Sequence, residues 1–184
     1  MARLTYSCLM SLDGYIADTD GNFDWAVPDE EVHAAVNDIT PTGTLFLGRR
    51  MYDVVVAWET WDVSDEPAVA QDFSALWHGT DKVVYSRTLA EPRSARTRIA
   101  REFDADEVRR LKQTAVSDLG VGGADLAGQF AAAGLIDDIH LFISPVIVGG
   151  GTRFLPGGVK LDLELVTQRR FGNGVMHLHY RNAT

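Results

Sequence analysis

Short apolar runs alternate with longer stretches whose apolar residues recur at helical spacing. The run Leu4 to Met10 ends at Ser11-Leu12-Asp13-Gly14, which predicts a buried strand entering a turn, and Asp18-Thr19-Asp20-Gly21-Asn22 follows as a polar loop. Pro28 followed by Asp29, Glu30 and Glu31 predicts a helix start, with proline in the first turn and acids favoured by the helix dipole. Val32, Ala35, Val36 and Ile39 then mark its apolar face. Thr44 to Gly48 reads as a second buried strand and Arg49 to Asp53 as the opening of another helix. Lys82 to Ser86 is a third strand and Ala115 to Leu119 a fourth, each preceded by a helix-compatible stretch.

Strands alternating with helices imply βαβ units, a mostly parallel central sheet and helices on both faces: a three-layer αβα arrangement. The C-terminal third differs. Asp138 to Val148, Leu161 to Phe171 and Val175 to Tyr180 are strand-like with no helix between them, and Phe171-Gly172-Asn173-Gly174 predicts a hairpin turn. The expected α/β fold is therefore a mostly parallel sheet finished by a C-terminal antiparallel ribbon. There is no internal repeat, and Gly149 to Gly158 reads as a loop within the domain.

The 184 residues suit one domain spanning 1–184, and 46% hydrophobic with 23% charged residues is ordinary for a globular chain. A net charge of −9 opposes nucleic acid and anionic membranes unless basic residues gather in a patch. The densest basic stretch, Arg93 to Arg101, is interrupted by Ala, Ser and Thr and reads as a solvated loop or strand edge. The single cysteine, Cys8, allows no internal disulfide and no Cys-rich zinc site, and is expected to be a buried structural thiol. His140, His177 and His179 fall in predicted strands without the carboxylate or cysteine that would complete a metal spacing, so no metal is expected. The N-terminus lacks a signal-peptide pattern and no apolar run is long enough to cross a bilayer; the expected compartment is the cytoplasm.

The sharpest chemical feature is Val116-Ser117-Asp118-Leu119-Gly120-Val121-Gly122-Gly123-Ala124-Asp125-Leu126, read as a strand, then glycines, then a helix. Glycines let the backbone approach a pyrophosphate, and the unpaired N–H groups of a first helical turn supply donors and partial positive charge. A tight strand-to-helix turn with no ligand would look the same. The Rossmann fingerprint requires G-x-G-x-x-G after the first strand, whereas here the motif comes late and Asp125 stands where the third glycine belongs. Gly48-Arg49-Arg50 at a strand-to-helix junction and Ser86-Arg87-Thr88 after a strand would add cationic forks suited to phosphate, although each Arg alone also reads as a surface residue.

Taken in order, Ser11-Leu12-Asp13-Gly14-Tyr15-Ile16-Ala17, Gly48-Arg49-Arg50-Met51-Tyr52, Val84-Tyr85-Ser86-Arg87-Thr88-Leu89 and Gly120-Val121-Gly122-Gly123 resemble the dihydrofolate-reductase-like superfamily. The first of these, together with Pro145-Val146-Ile147-Val148-Gly149-Gly150-Gly151-Thr152, is more similar to the reductase domain of bacterial riboflavin biosynthesis, the RibD C-terminal domain, and its stand-alone relatives. The resemblance spans nearly the whole chain. It implies an NADPH-dependent oxidoreductase that passes a hydride to a small heterocyclic, pyrimidine- or pterin-like substrate, as the 5-amino-6-(5-phosphoribosylamino)uracil reductase does. Ile16 and Ala17 would line the nicotinamide pocket. Gly48, Arg49, Arg50 and Met51 would lie along the phosphates, Ser86, Arg87 and Thr88 near the 2′-phosphate, and Gly120, Gly122, Gly123, Ala124, Asp125 and Leu126 at the pyrophosphate.

Trp25-Ala26-Val27-Pro28-Asp29-Glu30 is similar to the stretch of dihydrofolate reductases that ends in the substrate-binding acid, which puts Glu30 in that role. A carboxylate there would hold an amidine edge and assist protonation; a first-turn acid serving only the dipole is the other reading. Asp13 is the second candidate catalytic carboxylate, with a plain Asp-Gly turn as its alternative. The zinc-deaminase signature often fused to riboflavin-pathway reductases needs cysteines this chain lacks. The rival readings are a nucleotide- or drug-binding protein without catalysis and a Rossmann-type dehydrogenase. A homodimer is expected through Leu141, Ile143, Val146 and Ile147, where relatives of the family commonly pair.

Overall fold

The computed structural model describes residues 1–183. Ten strands and five α-helices follow one another: β1 (Leu4–Ser11), β2 (Tyr15–Ala17), α1 (Glu30–Ile39), β3 (Thr44–Gly48), α2 (Arg49–Val55), α3 (Ala68–Gly79), β4 (Asp81–Tyr85) and β5 (Thr97–Ala100); then α4 (Ala105–Thr114), β6 (Leu119–Gly122), α5 (Ala124–Ala132), β7 (Asp138–Ser144), β8 (Thr152–Arg153), β9 (Leu163–Arg170) and β10 (Met176–Asn182). Eight strands form one sheet in the order β5-β4-β3-β6-β1-β7-β10-β9, while β2 and β8 pair as a small antiparallel sheet. All pairs from β5 to β7 are parallel, and β10 and β9 close the edge antiparallel. The expected parallel sheet with its antiparallel ribbon is present, turned at Phe171–Gly174, where Gly174 N–H donates to Phe171 O.

Period-two alternation assigns the two faces. Leu4 and Tyr6 of β1, Phe46, Val83, Val121, Ile139 and Leu141 pack against Val108 of α4 and Leu126, Ala127 and Phe130 of α5. On the other face Leu47 and Val84 meet Tyr52 of α2 and Trp77 of α3, and Phe142 meets Val32 and Ala35 of α1. Both faces are covered, which is why the parallel strands read as nearly continuous apolar runs.

Several boundaries differ from expectation. Asp29, not a residue inside the helix, caps α1: its Oδ1 accepts the Val32 N–H at 2.9 Å, and Pro28 lies outside. The fourth long-range strand begins at Leu119, where Ala115 to Leu119 was expected, and Val116 is wholly exposed. The glycines that seemed to follow that strand are therefore inside it. A Cβ at Gly120 would sit 2.7 Å from Leu45 Cδ2, and one at Gly122 would sit 3.0 Å from Leu47 Cδ2, so these two positions are bare to admit the leucines of β3. The strand expected over Asp138 to Val148 stops at Ser144, before Pro145. Within Arg93 to Arg101, β5 forms the exposed edge that was one of the two readings. No helix among the described residues is long and apolar enough to cross a membrane.

Candidate functional site

The connections out of β3 and β6 diverge. From β3 the chain runs outward through α2 and α3 to β4; from β6 it runs the other way, through α5 over β1 to β7. Adjacent parallel strands with diverging connections leave a crevice at their C-terminal ends, the place where open α/β sheets bind ligands. This strand order is not the doubly wound order, which removes the Rossmann dehydrogenase reading.

Two helices start at that crevice, α2 after Gly48 and α5 after Gly123, and neither cap residue supplies a side-chain bond. Contrast α1 and α4, whose Asp29 and Asp104 carboxylates occupy first-turn amides. Gly123 has φ +99°, a left-handed conformation favouring glycine, and a Cβ there would lie 3.6 Å from Gly48 Cα and 3.4 Å from Met51 Cβ. The two backbones thus approach with no side chain between them. Ala124 and Leu126 turn their side chains into the core, so what α5 offers the crevice is its first-turn amides. Asp125 is exposed in that turn.

The expected arginines are placed unequally. Arg49 Nε bonds Asp53 Oδ2 at 2.7 Å, and Arg93 holds the other Asp53 oxygen, which lowers that carboxyl. Arg50 and Arg87 are exposed and form no ion pair among the described residues. At the end of β4, buried Ser86 accepts the Leu89 N–H at 3.0 Å and the Thr88 N–H at 3.3 Å, folding the loop back on itself. Arg101, which sequence reasoning had set aside with its basic neighbours, bonds Ser86 O at 2.9 Å and Leu89 O at 2.8 Å and fixes that loop from behind. Only its place directly after a strand could have signalled it.

Ile16 and Ala17 lie half-buried on β2, past the end of β1. β2 is held by two tethers. Gly151, at φ +124°, packs so closely that a Cβ would fall 2.1 Å from Ala17 O. Asp13 accepts the Gly149 N–H at 2.8 Å and the Val148 N–H at 3.2 Å, and a bond from the Ser11 side chain first, then these two, hold its carboxyl below the ordinary range. An acid so engaged and so readily ionised is a poor proton donor; its structural task is to fix the glycine loop.

A cavity of about 250 Å³ opens at the C-terminal ends of β1 and β7, on the α1 face, with Leu9, Trp25, Pro28, Val32, Ser144 and Asn173 among its walls. Trp25 Nε1 is buried and has no hydrogen-bond partner. Glu30 stands exposed at the first position of α1, beside the wall residue Pro28 but not in the wall. Sequence reasoning named Trp25 only as a motif marker and missed Ser144 and Asn173, which share no motif and meet through β7 and the ribbon turn. A wider groove of about 600 Å³ lies at the opposite strand ends, but its arginines Arg96, Arg98 and Arg110 are paired with Asp81, Glu107 and Asp104.

Comparison with known proteins bears on this arrangement. The family model of the RibD C-terminal domain matches residues 2–177. The Bacillus subtilis (strain 168) protein YyaP is 28% identical over 181 residues, covering 97% of this chain and 94% of its own. Among solved structures, a riboflavin biosynthesis protein from Shewanella sp. PV-4 superposes with TM-score 0.74 at 21% identity over all of both chains. Enterococcus faecalis dihydrofolate reductase, solved with NADP(H), gives TM-score 0.66 at 13% identity, covering 99% of this chain and 97% of its own. The Thermotoga maritima diaminohydroxyphosphoribosylaminopyrimidine deaminase/5-amino-6-(5-phosphoribosylamino)uracil reductase gives 0.65 at 17%, covering 99% of this chain and 57% of its own. The fold is dihydrofolate-reductase-like, and the chain belongs to the RibD C-terminal domain family.

Proposed function

We propose that this chain is an NADPH-dependent reductase of a small heterocyclic compound. The observation that carries the reading is the bare approach of Gly48 and Gly123 between two uncapped helix starts at the switch point of the sheet. No side chain stands between the two helix starts, and amides with partial positive charge would suit a pyrophosphate. Arg50 and Arg87, free of carboxylate partners, would meet the phosphates, Arg87 the 2′-phosphate that separates NADPH from NADH. Met51 covers the glycines from the α2 side, and Ile16 and Ala17 would face the nicotinamide from β2.

A reduced nicotinamide bound there supplies a hydride from C4. The chain's own contribution is to hold the two rings together and keep water out. Leu9, Trp25 and Val32 wall the ring cavity, the Asp13 tether keeps the loop at 148–151 against β2, and Glu30 at the mouth, directly or through water, would pass the proton. Titration of the purified protein with NADPH and NADH, followed by nicotinamide fluorescence, tests this. NADPH is expected to bind at least about tenfold more tightly than NADH, and Arg87→Ala to erase most of that preference. No binding of either nucleotide would refute the reading.

Of the residues expected at a homodimer interface, Leu141 is in the core and Val146 lines the cavity, while Ile147 is exposed, as are Leu163, Leu165 and Val166 on edge strand β9. We propose pairing through β9, checked by light scattering: a monomer that stays monomeric at about 0.1 mM, well above the range of stable dimers, would reject it.

A further inference from the structure

We propose that Ser144 and Asn173 select the substrate of this site, by donating hydrogen bonds to an acceptor oxygen that it carries. The proposal rests on the reductase reading and deepens it, because it names the side chains that a ligand would bond in the cavity at the β1 and β7 ends.

Ser144 ends β7 opposite Ser11 of β1, and strand alternation puts its side chain on the face of Phe142, which packs against α1. The cavity opens on that same face, with Ser144 in its wall. Ser144 is only 5% exposed. Of the four buried serines among the described residues, Ser11 accepts the Tyr15 N–H, Ser74 meets His78 Nδ1 and Ser86 accepts the Leu89 N–H, whereas the Ser144 hydroxyl has no partner. Nor is that hydroxyl sealed: it keeps accessible surface, which Trp25 Nε1 lacks. Leaving a buried hydroxyl unmet is costly, and this one is met through the cavity or not at all.

Little else in the wall is free to donate. Pro28 and Pro145 have no N–H, and the amides of Val27, Val32, Val146 and Val175 are spent on Asp24 O, Asp29 Oδ1, Ser144 O and Asn173 Oδ1. The last of these bonds fixes the Asn173 carboxamide, since only its oxygen can accept an N–H, and leaves the Nδ2 hydrogens unpartnered. A hydroxyl can donate or accept and an amide nitrogen can only donate, so the group that satisfies both together is an oxygen acceptor. A ring carbonyl is one source of it. A phosphoryl group is the other, because Arg170, exposed and without an ion pair among the described residues, stands where β9 enters the turn that carries Asn173 and leaves a cation there for an anionic oxygen.

Calorimetric titration with uridine, which offers ring carbonyls, and with ribose 5-phosphate, which offers phosphoryl oxygens and no base, tells the two sources apart. The Asn173 side-chain NH2 resonances, assigned with Asn173→Asp, report whether a probe reaches the cavity. At least one probe is expected to move them saturably, to bind about three- to tenfold more weakly in Ser144→Ala and to recover in Ser144→Thr, which keeps the hydroxyl. Asn173→Asp keeps the acceptor for the Val175 N–H but replaces the free donor with a second acceptor, so the same probe should weaken at least about tenfold. Binding of neither probe, or binding that ignores Ser144→Ala, would overturn the proposal. NADPH fluorescence on the same samples separates the two ideas: a probe held through Ser144 in a protein that binds no NADPH sinks the reductase reading alone, and NADPH bound normally while neither probe depends on Ser144 sinks this one alone.

Discussion

Lowering the pH should unfold this protein through His140. Its ring is stacked on His179 with centroids 4.0 Å apart and on His177 at 5.1 Å, and its Nδ1 lies 2.9 Å from His177 Nε2. Burial first, then the neighbouring imidazoles, push its pKa from 6.5 down to about 4. The unfolded chain therefore takes up this proton before the folded one does. The contribution is intact above about pH 6.5 and is lost as pH falls towards 4. At about 1.36 kcal/mol per pH unit the full loss is about 3 kcal/mol, and about 2 kcal/mol is gone by pH 5. Asp138 does not confound this range. Burial raises its carboxyl, but bonds from Arg3 and His179 outweigh that and bring it below the usual value, so it stays ionised. Burial also lowers His177 and His33, which act in the same direction as His140. His140→Phe keeps a stackable ring and removes this titration together with the bond to His177 Nε2; the loss of that bond is present at both pH values, so the difference between them isolates one histidine. Urea unfolding at about pH 7.5 and about pH 5 should show the wild type losing about 2 kcal/mol more than the variant. Equal losses in the two proteins would refute the reasoning.

Two other substitutions separate structure from binding. Gly123→Ala forces a side chain onto φ +99° and into the gap towards Gly48; it should cost about 1–2 kcal/mol, or about 2–8 °C in Tm, and weaken NADPH at least about tenfold. Gly134→Ala, at φ +66° with open space around it, is the control: similar strain with NADPH binding unchanged, so that equal losses of affinity in both would reject the cradle. Asp13→Ala should free the amides of Val148 and Gly149, read as exchange with deuterium accelerated by at least about tenfold while the sheet amides stay protected. Unchanged exchange there would remove Asp13 from the loop's support.

The layers of this fold were legible because the parallel strands inside edge strand β5 are covered on both faces and each helix has one apolar side. The glycine motif was legible in kind but not in register. Gly120 and Gly122 serve the leucines of β3, a demand made by residues seventy-five positions away that no local pattern contains. Gly123 alone meets the crevice with a conformation that requires glycine. The arginines show the same limit: Arg49 and Arg50 are neighbours in sequence, yet a carboxylate one helical turn on claims the first and leaves the second. The cavity could not be read at all from spacing, since its walls come from β1, the segment before α1, the end of β7 and the ribbon turn.

Strand order turns the candidate site into a line. From the end of β4 to the end of β7 the sheet runs β4-β3-β6-β1-β7, four steps of about 4.8 Å, or about 19 Å. Arg87 stands at one end, the Gly48 and Gly123 gap between the second and third strands, and the cavity across the last two. A ligand laid along that line meets cations first, backbone amides next and an uncharged ring pocket last. The proposed reading therefore carries an internal order. A change at Arg87 should alter which nucleotide is preferred without altering which ring is accepted, and a change at Trp25 or Ser144 should do the reverse. A single substitution at either end that altered both would mean that the groups along the strand ends do not serve one extended site.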